Sequence, residues 1–199
     1  MKTTISFLFF ALFAFSSFAQ KVYSAGQTTS APAPYKTGVF MTYEDYKNGK
    51  ITEAGKCKSV DSKKVKFETR TFTIKDDHMW GAVDNDGQLY RFTDKEGFSV
   101  LSIGDDLCMY GEVGTHIYKE KDGTYAKFVQ EDPQIGFSHG GVNGEIKSNV
   151  CIPGFVRKSI DNEALFNRIL AKVAKTAPSA KFFMGTWNEV EKWNAEKKK

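Results

Sequence analysis

The residue types best suited to chemistry in this 199-residue chain are concentrated at Phe137 to Gly144, FSHGGVNG. Here Ser138, His139 and Asn143 stand among Gly140, Gly141 and Gly144. A glycine-rich loop of this kind can present backbone N–H groups to an anion or to a developing oxyanion. Ser138, His139 and Asn143 are therefore the candidate ligand-binding residues. A hydrolase would need more, since the stretch has no GxSxG elbow and no assigned acid to orient His139. A connecting loop is the simpler use of such glycines.

The remaining reactive residues are dispersed. His78, His116 and His139 share no HxH or HxxxH relation, so a metal site would have to be assembled from distant strands, and no metal is expected. Asp76-Asp77 and Asp105-Asp106 are neighbours that point to different sides of an extended chain, which suits turns better than a general acid and base. Asp84-Asn85-Asp86-Gly87 is similar to part of a calcium loop, yet the first and twelfth liganding positions would fall on Ala82 and Thr93, neither of which carries a carboxylate. Cys57, Cys108 and Cys151 are too widely spaced for a zinc or CxxC pattern. They are compatible with one disulfide and a buried thiol, or with three buried thiols. No catalytic residue and no cofactor is expected.

The elements that would position these residues are mostly strands. Between Met79 and Tyr110 aromatic runs alternate with turn residues, and Asn85-Asp86-Gly87 suits a hairpin loop closed by a glycine. That register sets Val83 opposite Leu89, Ala82 opposite Tyr90, Gly81 opposite Arg91 and Trp80 opposite Phe92, and predicts a core face of Trp80, Ala82, Tyr90 and Phe92. Strands are also predicted at Gly38–Met41, Phe98–Ile103 and Leu107–Val113, with one bent strand from Val65 to Ile74. A second hairpin, His116–Lys119 with Thr124–Val129, turns at Lys121-Asp122-Gly123 and puts His116, Tyr118, Ala126 and Phe128 on one face. Thr42 should cap a short helix through Asn48, with Asp45 completing a capping box and Gly49 ending it.

Two C-terminal helices are expected. One spans Asn162–Thr176 behind an Asp161 cap; the other starts after Thr186 with Glu189 as its capping partner and Trp187, Val190 and Trp193 along one stripe. That stripe suits packing, while its tryptophan and lysine content also suits an interfacial helix. Gly185-Thr186-Trp187 is similar to the GxW signature of lipocalins, but sits at the opposite end of the chain and reads as coincidence. The fold class expected over residues 37–199 is a single α+β domain. It comprises an antiparallel, strongly curved sheet or partly open β-barrel of about six to eight strands, a short N-terminal helix and two C-terminal helices.

Residues 1–19 read as a secretory signal: Lys2, an apolar run from Ile5 to Phe15, then Ser17-Phe18-Ala19 before the cleavage point. Residues 20–36 form an Ala-, Ser-, Thr- and Pro-rich lead-in. Removing the leader lowers the formal charge by the one contributed by Lys2, from +4 to +3, too mild and too concentrated in the terminal lysines to imply nucleic acid. The apolar run is too short for a transmembrane segment. The segments GVFMTYEDYKNGK, WGAVDNDGQLYR and DDLCMY, within residues 38–110, resemble a group of uncharacterised secreted proteins of Bacteroidota. That resemblance implies an envelope or extracellular setting and no particular chemistry. The expected function is an exported, secreted or periplasmic non-enzymatic module that binds an envelope protein or a small ligand. The alternatives are an apolar-ligand carrier in a β-barrel and a hydrolase built on Ser138 and His139.

Overall fold

The computed structural model describes residues 36–119 and 125–198. The leader, the lead-in up to residue 35 and the Lys121-Asp122-Gly123 turn lie outside the described residues. The central hairpin joins β6 (Gly81–Val83) to β7 (Leu89–Phe92) in the expected register, with Gly81 opposite Arg91, Ala82 opposite Tyr90 and Val83 opposite Leu89. Its turn is set by one carboxylate: Asp84 Oδ1 accepts from the Asp86 and Gln88 N–H groups at 2.9 Å each. Gly87 takes a left-handed φ of 82°, which a side chain would resist.

Around this hairpin the chain builds an eight-stranded antiparallel sheet. It adds β1 (Gly38–Phe40), β2 (Glu53–Ala54), β8 (Gly97–Ser102), β9 (Leu107–Glu112), β12 (Gln134–His139) and β13 (Lys147–Val150), in the order β13-β12-β9-β8-β7-β6-β1-β2. The order ends on β13 and β2 and does not close into a barrel. Between β1 and β2 lies α1 (Tyr43–Lys47), which has the expected capping box: the Asp45 N–H donates to Thr42 Oγ1 and the Thr42 N–H to Asp45 Oδ2.

The sheet buries both faces, so the expectation of a single aromatic core face is corrected. On one face Val83, Leu89, Phe98, Val100, Cys108 and Tyr110 pack beneath Tyr43 and Tyr46 of α1 and beneath Val142 and Ile146. Trp80 joins this face, with its ring 4.8 Å from Tyr46, rather than the face of Ala82. The reason is local: the Trp80 N–H is shared between the Phe40 and Met41 carbonyls, so the ladder is irregular just before Gly81 and the alternation breaks there.

The opposite face has two covers side by side. Ala82, Tyr90 and Phe92 lie under a three-stranded sheet of β3 (Cys57–Val60), β4 (Lys64–Phe67) and β5 (Thr71–Thr73), through Cys57, Val65, Phe67 and Phe72. The expected bent strand from Val65 to Ile74 is instead a chain reversal, with the Phe67 N–H donating to the Arg70 carbonyl, followed by α2 (Ile74–Asp77). Leu101, Leu107, Met109, Ile135 and Phe137 lie under the C-terminal helices. Between the covers the cross-strand row narrows to Ser99 and Gly111, with Thr115 packed on Gly111 where a Cβ would stand 2.8 Å away.

Three C-terminal helices are present, not two: α3 (Pro153–Ile160), α4 (Glu163–Lys172) and α5 (Ser179–Lys197). The first opens on Pro153-Gly154, which reads as a turn, although proline is well tolerated in a first helical turn. Asp161 ends α3 in a left-handed conformation, and Asn162 caps α4 by accepting from the Leu165 N–H. Thr186 is not a cap. Burial of Ala180, Phe182 and Phe183 carries α5 back to Ser179, so the Thr186 hydroxyl donates to the Phe182 carbonyl and Glu189 meets Arg168 and Lys192.

The second hairpin, β10 (His116–Lys119) with β11 (Tyr125–Phe128), keeps its expected pairing as a separate two-stranded sheet. It is tied to α5 by Lys127, fully buried 4.4 Å from the Trp187 ring centroid, whose ammonium donates to Glu191 Oε2 at 2.6 Å and Asn188 Oδ1 at 2.8 Å. Trp187 is itself fully buried and donates to Glu191 Oε1 and the Leu101 carbonyl. Removing this ring leaves a large void and an under-paired Lys127. Trp187→Ala is expected to cost about 3–5 kcal/mol, measured as the shift in urea unfolding of the full chain.

Candidate functional site

The glycine-rich loop does not gather the three candidate residues. Ser138 and His139 are consecutive in β12 and their side chains leave opposite faces of the strand. Ser138 is buried, its hydroxyl 2.9 Å from the Tyr110 hydroxyl and 2.9 Å from the Gly141 carbonyl. His139 is exposed, with Nε2 2.7 Å from the Ser159 carbonyl of α3. Asn143 turns away from both and accepts from the Trp80 indole N–H at 3.0 Å. The glycines serve the bend: Gly140 and Gly141 have φ of 73° and 86°, and a Cβ on Gly144 would stand 2.2 Å from the His139 carbonyl oxygen. Two loop N–H groups are already used, Gly140 toward the Asp106 carbonyl and Gly144 toward the Gly141 carbonyl.

Asp76, Asp77, Asp106 and His78 have structural roles. Asp77 accepts from the Thr73 N–H and pairs with Arg70; Asp76 accepts from the Thr73 hydroxyl. Asp106 pairs with Lys197 at 2.6 Å. His78 closes α2 with a left-handed φ of 51°. All three cysteines are buried free thiols. Burial pushes the thiols of Cys57 and Cys108 up and that of Cys151 up to about 12, so none is poised as a thiolate nucleophile. Among the described residues no group of three or more His, Cys, Asp or Glu is placed to hold a metal ion.

A different site appears along β3, at the seam between the small sheet and the large one. Asn85, in the β6–β7 turn, grips the Cys57 backbone in the manner of a strand: the Cys57 N–H donates to Asn85 Oδ1 at 3.0 Å, and Asn85 Nδ2 donates to the Cys57 carbonyl at 2.7 Å. The other end of the small sheet is fastened by the Gly97 N–H, which donates to the Ser62 carbonyl at 2.6 Å. Between these ties lies an open groove of about 660 Å³. Tyr90 contributes an aromatic ring; Asp61, Asp84, Asp86, Glu96 and Glu112 contribute carboxylates, against one lysine, Lys58.

The carboxylates are not equivalent. Asp84 is committed to the fold, since its second oxygen accepts from the Tyr90 hydroxyl at 2.9 Å in addition to the two turn N–H groups. Burial nevertheless raises its pKa above the ordinary aspartate value, and burial beside Asp84 raises the Tyr90 phenol strongly. Glu112 accepts a long contact from the Gln134 N–H at 3.4 Å, and burial raises its pKa too. The groove thus holds excess negative charge beside the Tyr90 ring. The Asp-Asn-Asp-Gly turn was visible in the sequence as a turn. That Asn85 uses it to hold a strand 28 residues away was not.

No protein-family model, curated protein or solved structure matches the chain.

Two outcomes follow from this geometry. Ser138→Ala removes a partner of the buried Tyr110 hydroxyl and is expected to cost about 1–2 kcal/mol in chemical unfolding, while His139→Ala stays close to the parent. Glu112 has a folded-state pKa above its unfolded one, so the folded protein binds more protons and this residue's contribution weakens as pH rises through that interval. Glu112→Gln should therefore lose little or no stability at neutral pH. Its stability profile between about pH 4 and pH 7 should also fall less with rising pH than that of the parent.

Proposed function

We propose that this protein is an exported, secreted or periplasmic module that binds a partner or small ligand at the cell envelope without chemical conversion, and that binding takes place in the groove along β3. The observation that carries this reading is the groove's composition: five carboxylates against one lysine, beside Tyr90. Such a lining favours a cation-bearing group through its excess negative charge. The export setting rests on the leader and on the Bacteroidota resemblance.

The apolar carrier draws less support. It requires a strongly curved sheet rolled into a partly open barrel around an empty lumen, whereas both sheet faces are filled by side chains such as Phe40, Phe92, Phe137 and Tyr110. The hydrolase draws least, because the side chains of Ser138 and His139 diverge.

Isothermal titration calorimetry of the full chain with spermidine and with a short lysine-rich peptide tests the reading. Binding is expected for at least one probe, weakening with added salt and by about threefold for each of Asp61→Asn and Glu112→Gln. Absence of binding for both probes, or binding indifferent to both substitutions, would overturn the groove assignment.

A further inference from the structure

A second site emerges around Arg91, at the end of the β6–β7 pair where residues of the small-sheet core and of the α1-side core meet. Arg91 stands on β7 between Gly81 and Phe98, and its guanidinium lies over the Trp80 ring, 5.3 Å from the centroid. Nη1 donates to the carbonyl of the next residue, Phe92, while Nε is buried without an acceptor among the described residues. Among the described residues Arg91 forms no ion pair. Burial lowers its pKa, and Asp94 acts on it only through space. A desolvated cation with an orphan donor is costly, and proteins ordinarily meet that cost with a counter-charge.

Next to it is a cavity of about 330 Å³ that Arg91 itself lines, with Met41, Met79, Trp80 and Thr93 around it and Asp94 at the same opening. At roughly 30 Å³ for each atom-sized occupant, that space takes about ten non-hydrogen atoms. Its wall is mixed, with Met41, Ile74, Met79, Trp80 and Phe92 as the apolar part and Thr42, His78, Thr93 and Asp94 as the polar part, and Arg91 is its one permanent cation. We infer that this cavity binds a small organic carboxylate, its carboxyl on the Arg91 guanidinium and its apolar body against Trp80, Met41 and Met79.

The chemistry separates this class from its neighbours. A guanidinium presents parallel donors to the two oxygens of a planar carboxylate, and turning its Nε edge toward the cavity would give the orphan donor an acceptor. A phosphate would bring more negative charge against Asp94 and has no apolar body to meet Trp80, Met41 and Met79. Simple halides would leave the apolar volume unfilled. This site is independent of the β3 groove, with which it shares no lining residue.

The test is thermal unfolding and calorimetry of the full chain with sodium benzoate, acetate, phosphate and chloride at matched ionic strength. Benzoate is expected to bind and to raise the melting temperature above the chloride control, with acetate and phosphate weaker. Arg91→Met keeps the stem while removing the uncompensated charge, so it should remain folded by circular dichroism and lose benzoate affinity at least about tenfold. Arg91→Lys, which keeps the charge without the fork, should weaken binding less and carries the comparison if Arg91→Met fails to fold. Asp61→Asn, in the groove, should leave benzoate binding unchanged. Benzoate no better than chloride, phosphate equal to benzoate, or full benzoate affinity in the tested Arg91 variant would overturn the assignment.

Discussion

The β6–β9 meander buries both of its faces, and an antiparallel sheet in that position needs a cover on each side. No single element of this chain is long enough to provide both. The structure divides the work among α1 with the 140–146 loop on one face, and the three-stranded sheet and the C-terminal helices on the other. Where two covers share a face, a seam remains. The sheet there narrows to Ser99 and Gly111, whose size lets Thr115 approach, while the hydroxyls of Ser99 and Thr115 are buried without partners among the described residues. The groove along β3 opens beside this seam, as a consequence of how the core is covered.

Polar side chains acting in place of backbone hold the covers in place. Asn85 pairs with the Cys57 backbone as another strand would. Asn194 of α5 donates to Ser102 Oγ and to the Leu107 carbonyl, and lies so close to Gly104 that a Cβ there would meet its Oδ1 at 2.3 Å. Glu191 divides its two oxygens between the Trp187 indole and the Lys127 ammonium, which ties the isolated hairpin to the helical layer. Each contact satisfies buried polar groups that would otherwise oppose folding, and each joins segments distant in the chain.

What was legible in the sequence was local chemistry. The Asp84–Gly87 turn fixes the β6–β7 register, and Thr42 with Asp45 fixes the start of α1, because in both cases the deciding hydrogen bonds span only a few residues. Trp80 left its expected face because of a long-range irregularity, its N–H being shared between two carbonyls of the β1 region. Helix α5 ran past Gly185 to Ser179 because burial of Phe182 and Phe183 outweighs local signals, so Thr186, a plausible cap by type, became an interior residue. The candidate residues of the glycine-rich loop are not brought together for a similar reason: alternation in β12 sends Ser138 and His139 apart, which no reading of composition reveals. The groove needs the Asn85–Cys57 contact, and the Arg91 cavity needs Trp80 on the unexpected face.

Hydrogen–deuterium exchange of the full chain, with and without a lysine-rich peptide, tests the central claim most directly. The account predicts added protection at Cys57–Val60 and in the Asp84–Gln88 turn, diminished by salt and by Glu112→Gln. Unchanged exchange in those segments, or protection confined to the α5 surface, would contradict it.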